Sequence, residues 1–145
     1  MLFIEIGNNI AGALGLFRHL AAENKEVYYW GIDVSQALAI LGAQLLQEAN
    51  GNLSTVTFES DEKCIRTILE EATAPSIVVL HFSCTFTGWS AERSANLARM
   101  LFEVFEKESR HHYLLCRIKE DGEDERRSHR IFYEILRYAK GVKWI

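Results

Sequence analysis

The opening of the chain constrains its fold most. The run Leu2-Phe3-Ile4-Glu5-Ile6 stops at Gly7, and a second run, Val27 to Ile32, stops at Asp33. Both runs are short, apolar and rich in β-branched and aromatic residues, the composition of buried strands. Glycine at the end of the first lets the backbone turn sharply. Between the two, Ala13, Leu14, Phe17, Leu20 and Ala21 recur at helical spacing while Arg18 and Glu23 fall on the other side, which predicts a helix over 11–23. A strand, a glycine turn and a helix that starts there present free backbone N–H groups and the positive helix end to whatever lies above the turn.

In open α/β sheets ligands bind beyond the carboxyl ends of the strands, and an acidic residue ending the second strand is placed to accept hydrogens from both ribose hydroxyls. Asp33 holds that position, and its separation from Gly7 suits one βαβ unit. Ser35 then serves as an N-cap for a helix over 36–49, with Leu38, Leu41 and Leu45 on its inner face.

The segment Gly31-Ile32-Asp33-Val34-Ser35, followed by a Leu/Ala-rich helix, closely resembles the second motif of the class I S-adenosylmethionine-dependent methyltransferases. Glu5-Ile6-Gly7 resembles their first motif, in which an acidic residue stands two positions before the first glycine of a glycine-rich turn. The resemblance implies S-adenosylmethionine as cofactor. It also implies that Asp33 binds the ribose diol, that Gly7 makes the turn under the methionine part, and that Glu5 orients that part through its ammonium group or a water. Asn9 and Ala11 stand where the family has its second and third glycines. Asn tolerates positive φ, so Asn9 is a credible substitute, and Gly12 compensates in part if the turn is one residue longer.

A length of 145 residues, 48% of them hydrophobic and 25% charged, suits one globular domain over 1–145 able to bury a core. A start directly on the first strand leaves room for a lost preceding segment or a longer parent chain. The net charge of -4 and pI near 5.7 exert no general pull on nucleic acid or anionic lipid, so a nucleic-acid substrate has no support from charge. Cys64, Cys84 and Cys116 are odd in number and lack paired metal-ligand spacing, which predicts no metal site and free thiols in a reducing, cytoplasmic setting. The sequence shows neither a signal peptide nor an apolar run approaching a membrane span.

Asn50-Gly51-Asn52 is a turn before a third strand, Leu53 to Phe58, whose alternation of Val56 and Phe58 with Thr55 and Thr57 suits a sheet edge. A helix over 61–72, with Ile65, Ile68 and Leu69 inward, ends at Thr73-Ala74-Pro75, where proline stops it. Asp61 either caps this helix or, as the resemblance implies, accepts from the adenine amino group; a carboxylate has lone pairs for both. The continuously apolar Ile77-Val78-Val79-Leu80 suits the centre of a parallel sheet.

The richest chemistry follows that fourth strand, in Leu80-His81-Phe82-Ser83-Cys84-Thr85-Phe86-Thr87-Gly88-Trp89-Ser90. The Asp/Asn-Pro-Pro-aromatic sequence of enzymes that methylate base amino groups is absent here, and so is the Pro-Cys pair of the cytosine-C5 enzymes, so Cys84 reads as a structural thiol. His81, expected at the strand end, is either satisfied by neighbours or the catalytic base, since its side chain alone here accepts a proton near neutral pH. Trp89 either closes over a ligand or packs on the helix that Ser90 caps.

That helix, 91–108, carries Leu97, Leu101, Val104 and Phe105 on one face. A fifth strand, Tyr113 to Ile118, follows two adjacent histidines. His111 and His112 point to opposite faces if extended and read as solvated or capping the sheet. Arg126, Arg127 and Arg130 either meet an anion or form a solvated helix face. Ile131, Phe132, Ile135, Leu136 and Ala139 form an apolar stripe that ends at Gly141, before a short last strand from Val142 to Ile145.

Alternating strands and helices predict an α/β fold, a doubly wound and mostly parallel sheet in the order 3-2-1-4-5 plus the short last strand, with helices on both faces. The switch point then lies between the first and fourth strands, above Gly7 and His81. The family's reversed hairpin at the far edge is missing, which leaves the edge after the fifth strand for self-association or contact with a parent chain. A P-loop is disfavoured because Ala13-Leu14 stand where Lys and Ser/Thr are needed, and a nicotinamide dehydrogenase because the second turn glycine is absent. Two functions remain: a methyltransferase of unknown acceptor, or a catalytically inactive domain of the same shape kept as a binding or assembly module.

Overall fold

A computed structural model describes residues 1–7, 28–32, 37, 40, 41, 44, 64–83, 85–118 and 122–145. Its elements are β1 (Leu2–Ile6), β2 (Tyr28–Ile32), α1 (Cys64–Glu71), β3 (Ile77–Ser83), α2 (Ala91–Lys107), β4 (His111–Arg117), α3 (Glu123–Leu136) and β5 (Val142–Trp144). The five strands form one sheet in the order β2-β1-β3-β4-β5, and every neighbouring pair is parallel. The α/β architecture is therefore the expected one. The order differs from the expected one by the strand 53–58, which lies outside the described residues; the adjacencies among the other five strands agree.

Strand alternation explains how the sheet is covered. On one face Leu2, Ile4 and Ile6 of β1, Ile32 of β2, Val78, Leu80 and Phe82 of β3 and Leu114 of β4 belong to a single buried cluster. The same cluster takes Ile65, Ile68 and Leu69 from α1, Leu97, Leu101, Val104 and Phe105 from α2, and Phe132 and Leu136 from α3. These are the inward residues that helical spacing predicts. On the opposite face Phe3, Glu5, Tyr29 and His81 are buried as well, so the centre of the sheet is covered on both sides. Ser90 caps α2 as expected, its hydroxyl accepting from the Arg93 N–H at 3.1 Å.

Three expectations need correction. β3 continues to Ser83, because Phe82 and Ser83 still pair with Cys116 and Arg117 of β4; His81 is thus inside the strand and not at its end. β4 begins at His111, and alternation leaves His111 exposed but turns His112 wholly inward, so His112 is not solvated. Leu41, expected inward, is 47% exposed. Ala37, Ile40, Leu41 and Gln44 are helical and share one stripe at i, i+3, i+4 and i+7, and the whole stripe faces outward.

The amino edge of the sheet is held by a polar cluster. Arg110 donates from Nη2 to the Leu69 carbonyl at 2.6 Å and from Nη1 to the Ala72 carbonyl, closing the carboxyl end of α1, and it pairs with the Glu108 carboxylate. The Glu108 Oε2 also lies 2.6 Å from Nε2 of His112, whose ring packs against Phe105 with centroids 4.2 Å apart. At the far edge β5 pairs with β4 alone among the described strands and carries Lys143, a charge of the kind that blunts an open edge.

Candidate functional site

The carboxyl ends of β1 and β3 meet at Gly7. Its φ is +95°, and a Cβ there would lie 2.3 Å from the Ser83 carbonyl oxygen, so both the turn and the close approach require glycine. The Gly7 N–H donates to the Ile32 carbonyl at 2.9 Å, and the Thr85 hydroxyl donates to the Ile6 carbonyl at 2.6 Å. Those contacts tie the ends of β1 and β2 and the loop after β3 together. β2 lies on one side of β1 and the β3, β4 series on the other, so the crossovers diverge here, at the topological switch point.

Two residues back from the turn, Glu5 is wholly buried. It stands in register with Gly31 on one side and His81 on the other. Burying a carboxylate is costly unless donors surround it, and the Tyr29 hydroxyl donates to Oε2 at 3.2 Å. Phe3 stacks against Tyr29 with ring centroids 5.9 Å apart and meets the edge of the His81 ring at 6.2 Å. His81 is 7% exposed, and burial, followed by the nearby Arg117 charge, lowers its pKa from the ordinary value. It is therefore neutral at physiological pH, able in principle to accept a proton but enclosed within the sheet.

The loop beyond β3 is built around Phe86, which is buried against Phe82 and Phe132. Trp89 lies edge-on to Phe86, carries the Arg93 guanidinium 3.9 Å above its ring, and accepts at its carbonyl from the Ser128 hydroxyl at 2.8 Å. Of the two roles expected of Trp89, these contacts are those of packing: through Arg93 on the helix that Ser90 caps, and on Phe86 and α3 besides. His129 meets the Phe86 ring edge, and burial lowers its pKa against an opposing pull from Glu125.

Asn9, Asp33, Asp61 and Cys84 lie outside the described residues; Asp33 directly follows the last residue of β2 in sequence. Glu5 and His81 are register partners on the adjacent strands β1 and β3, and Gly7 directly follows β1. Arg126, Arg127 and Arg130 line an exposed groove of about 570 Å³ with Glu123 and Asp124, where acidic neighbours offset the guanidinium charge. A second groove, of about 530 Å³, is lined by Arg66, Arg93, Asn96, Leu97 and Met100 among others and includes no residue of the Glu5–Gly7 row. Among the described residues no three His, Cys, Asp or Glu side chains gather to hold a metal, and no helix is long and apolar enough to cross a membrane.

Sequence reasoning missed two features. Tyr29 as the partner of Glu5 was available from alternation, since Tyr29 and Gly31 share the face of Glu5. The Arg110 cluster gave no local signal, because its carbonyl partners are 35 to 41 positions away. Compared with known families and curated proteins, the sequence matches no family model and no curated protein.

Proposed function

We propose that this domain is an S-adenosylmethionine-dependent methyltransferase of the class I type, acting on an acceptor that its residues do not define. The observation that carries this reading is the Gly7 turn: a positive-φ glycine with no room for a Cβ, at the carboxyl end of a central strand, at the switch point, two residues after a buried acid. In this reading Glu5 orients the methionine part through its ammonium group or a water, Asn9 stands in the turn where the family has a glycine, Asp33 accepts from the ribose hydroxyls, and Asp61 accepts from the adenine amino group. The cofactor supplies an activated methyl group on a sulfonium. The protein's contribution is to hold donor and acceptor in line and, for a nitrogen or oxygen acceptor, to take up a proton. Cys116, half-buried with its thiol pushed up to about 12 by burial, stays a thiol rather than a nucleophile.

One observation favours a second reading, a catalytically inactive domain of this shape that binds or assembles. His81, the candidate base, is enclosed within β3 against Phe3. The enzyme reading requires cofactor binding and turnover, and the second reading requires neither, so a wild-type protein that binds no S-adenosylmethionine favours the second. If His81 is the base, His81→Gln lowers methyl transfer to any acceptor found while leaving cofactor affinity nearly unchanged. If the domain is inactive, the wild-type protein consumes no S-adenosylmethionine in the presence of any acceptor.

A further inference from the structure

We infer that Tyr29 is a positioning residue for Glu5, holding its carboxylate for a cationic ligand group; this rests on the cofactor reading above. The Tyr29 hydroxyl donates to Glu5 Oε2 at 3.2 Å, from the neighbouring strand and on the same face of the sheet. Gly31 makes the contact possible. It is the register partner of Glu5, and a Cβ there would meet both Oη and Cε1 of Tyr29 at 3.2 Å, so the missing side chain is the space the phenol crosses to reach the carboxylate. Phe3, the register partner of Tyr29, stacks on the ring and fixes its plane. The pair is enclosed, with Glu5 0% and Tyr29 6% exposed, and in such surroundings one oriented donor does more to fix a carboxylate than it would in water. The glycine of Gly31-Ile32-Asp33 thus serves the first strand's acid.

Tyr29→Phe keeps the ring and its stacking and removes only the donor. Calorimetric titration with S-adenosylmethionine should show binding weakened roughly ten- to a hundredfold, the scale of one hydrogen bond to a charged group, and the unfolding temperature should fall as well, because a buried carboxylate loses a donor. Gly31→Ala is the second variant, which keeps the hydroxyl but displaces it, and should weaken binding in the same direction. The discriminating measurement is a double-mutant cycle. Tyr29→Phe should cost nothing further in a Glu5→Met background, which keeps the length of the side chain and removes the acceptor, a result that a general packing role for Tyr29 does not produce. Equal affinity of wild type and Tyr29→Phe, or the same loss in both backgrounds, overturns the positioning role alone. Absence of binding by the wild type overturns the cofactor reading and this role with it.

Discussion

Replacing Gly7 by alanine should be far more damaging than replacing Gly88, although both sit at positive φ, +95° and +74°. A residue with a Cβ in the left-handed region costs roughly 1–2 kcal/mol, and that part is common to both sites. At Gly88 nothing lies within 4 Å of the added carbon, so the common part is the whole cost. At Gly7 the Cβ would lie 2.3 Å from the Ser83 carbonyl oxygen, which belongs to backbone in a paired strand and has no rotamer to give. Relief requires the end of β1 to move away from β3 by about the difference from an ordinary contact, roughly 1 Å. That movement strains the Gly7 N–H bond to Ile32 and the Thr85 bond to Ile6, each worth about 0.5–1.5 kcal/mol. The expected loss is therefore about 2–5 kcal/mol for Gly7→Ala and about 1–2 kcal/mol for Gly88→Ala. Urea unfolding followed by circular dichroism reads both, with an unchanged slope needed to assign the shift to stability. If Gly7→Ala is no worse than Gly88→Ala, the strand ends do not approach as described, and the geometric case for a ligand turn at Gly7 fails.

Arg110→Ala should cost about 3–5 kcal/mol, because it leaves the largely buried Glu108 carboxylate with His112 alone and opens the end of α1, whereas Arg66→Ala, which breaks the exposed pair with Glu103, should stay within about 0.5 kcal/mol in the same unfolding assay. Stability should fall on acidification. His81, His112 and His129 all have pKa values lowered by burial, so the fold favours their neutral forms; the contribution is complete above the unfolded value near 6.5, is lost as pH falls below it, and levels off beneath the folded values. Urea midpoints that stay flat between about pH 7.5 and pH 5.5 would contradict the burial of these rings. Asp33→Ala should remove roughly 1.5–3 kcal/mol of cofactor affinity per lost hydrogen bond, and unchanged affinity in a calorimetric titration would remove Asp33 from the site.

What the sequence made legible follows from periodicity. Leu97, Leu101, Val104 and Phe105 repeat at helical spacing and are buried, and the runs at Leu2 to Ile6 and Ile77 to Leu80 mark central strands because both faces of a parallel strand are covered. The end of β3 was not legible, since the apolar run stops at Leu80 while backbone pairing continues to Ser83 and draws His81 inside. Composition reports burial, and burial and pairing end at different residues. His112 was misread for a related reason: one residue decides which face a histidine takes, and β4 starts two positions before its apolar run. Gly7 was legible because a positive-φ turn leaves few residues to choose from. The contact that makes it obligatory is with Ser83, 76 positions along the chain, and no local pattern encodes it.

The central claim is that the carboxyl edge above Gly7 binds S-adenosylmethionine. Isothermal titration of the wild-type protein with S-adenosylmethionine, and separately with its demethylated product, tests it without knowledge of the acceptor. The account predicts one site for each ligand and a rise in unfolding temperature that grows with ligand concentration, equivalent to about 2.7 kcal/mol at a hundred times the dissociation constant. No heat and no thermal shift with either ligand at about 1 mM, where even a weak cofactor site fills appreciably, would contradict it.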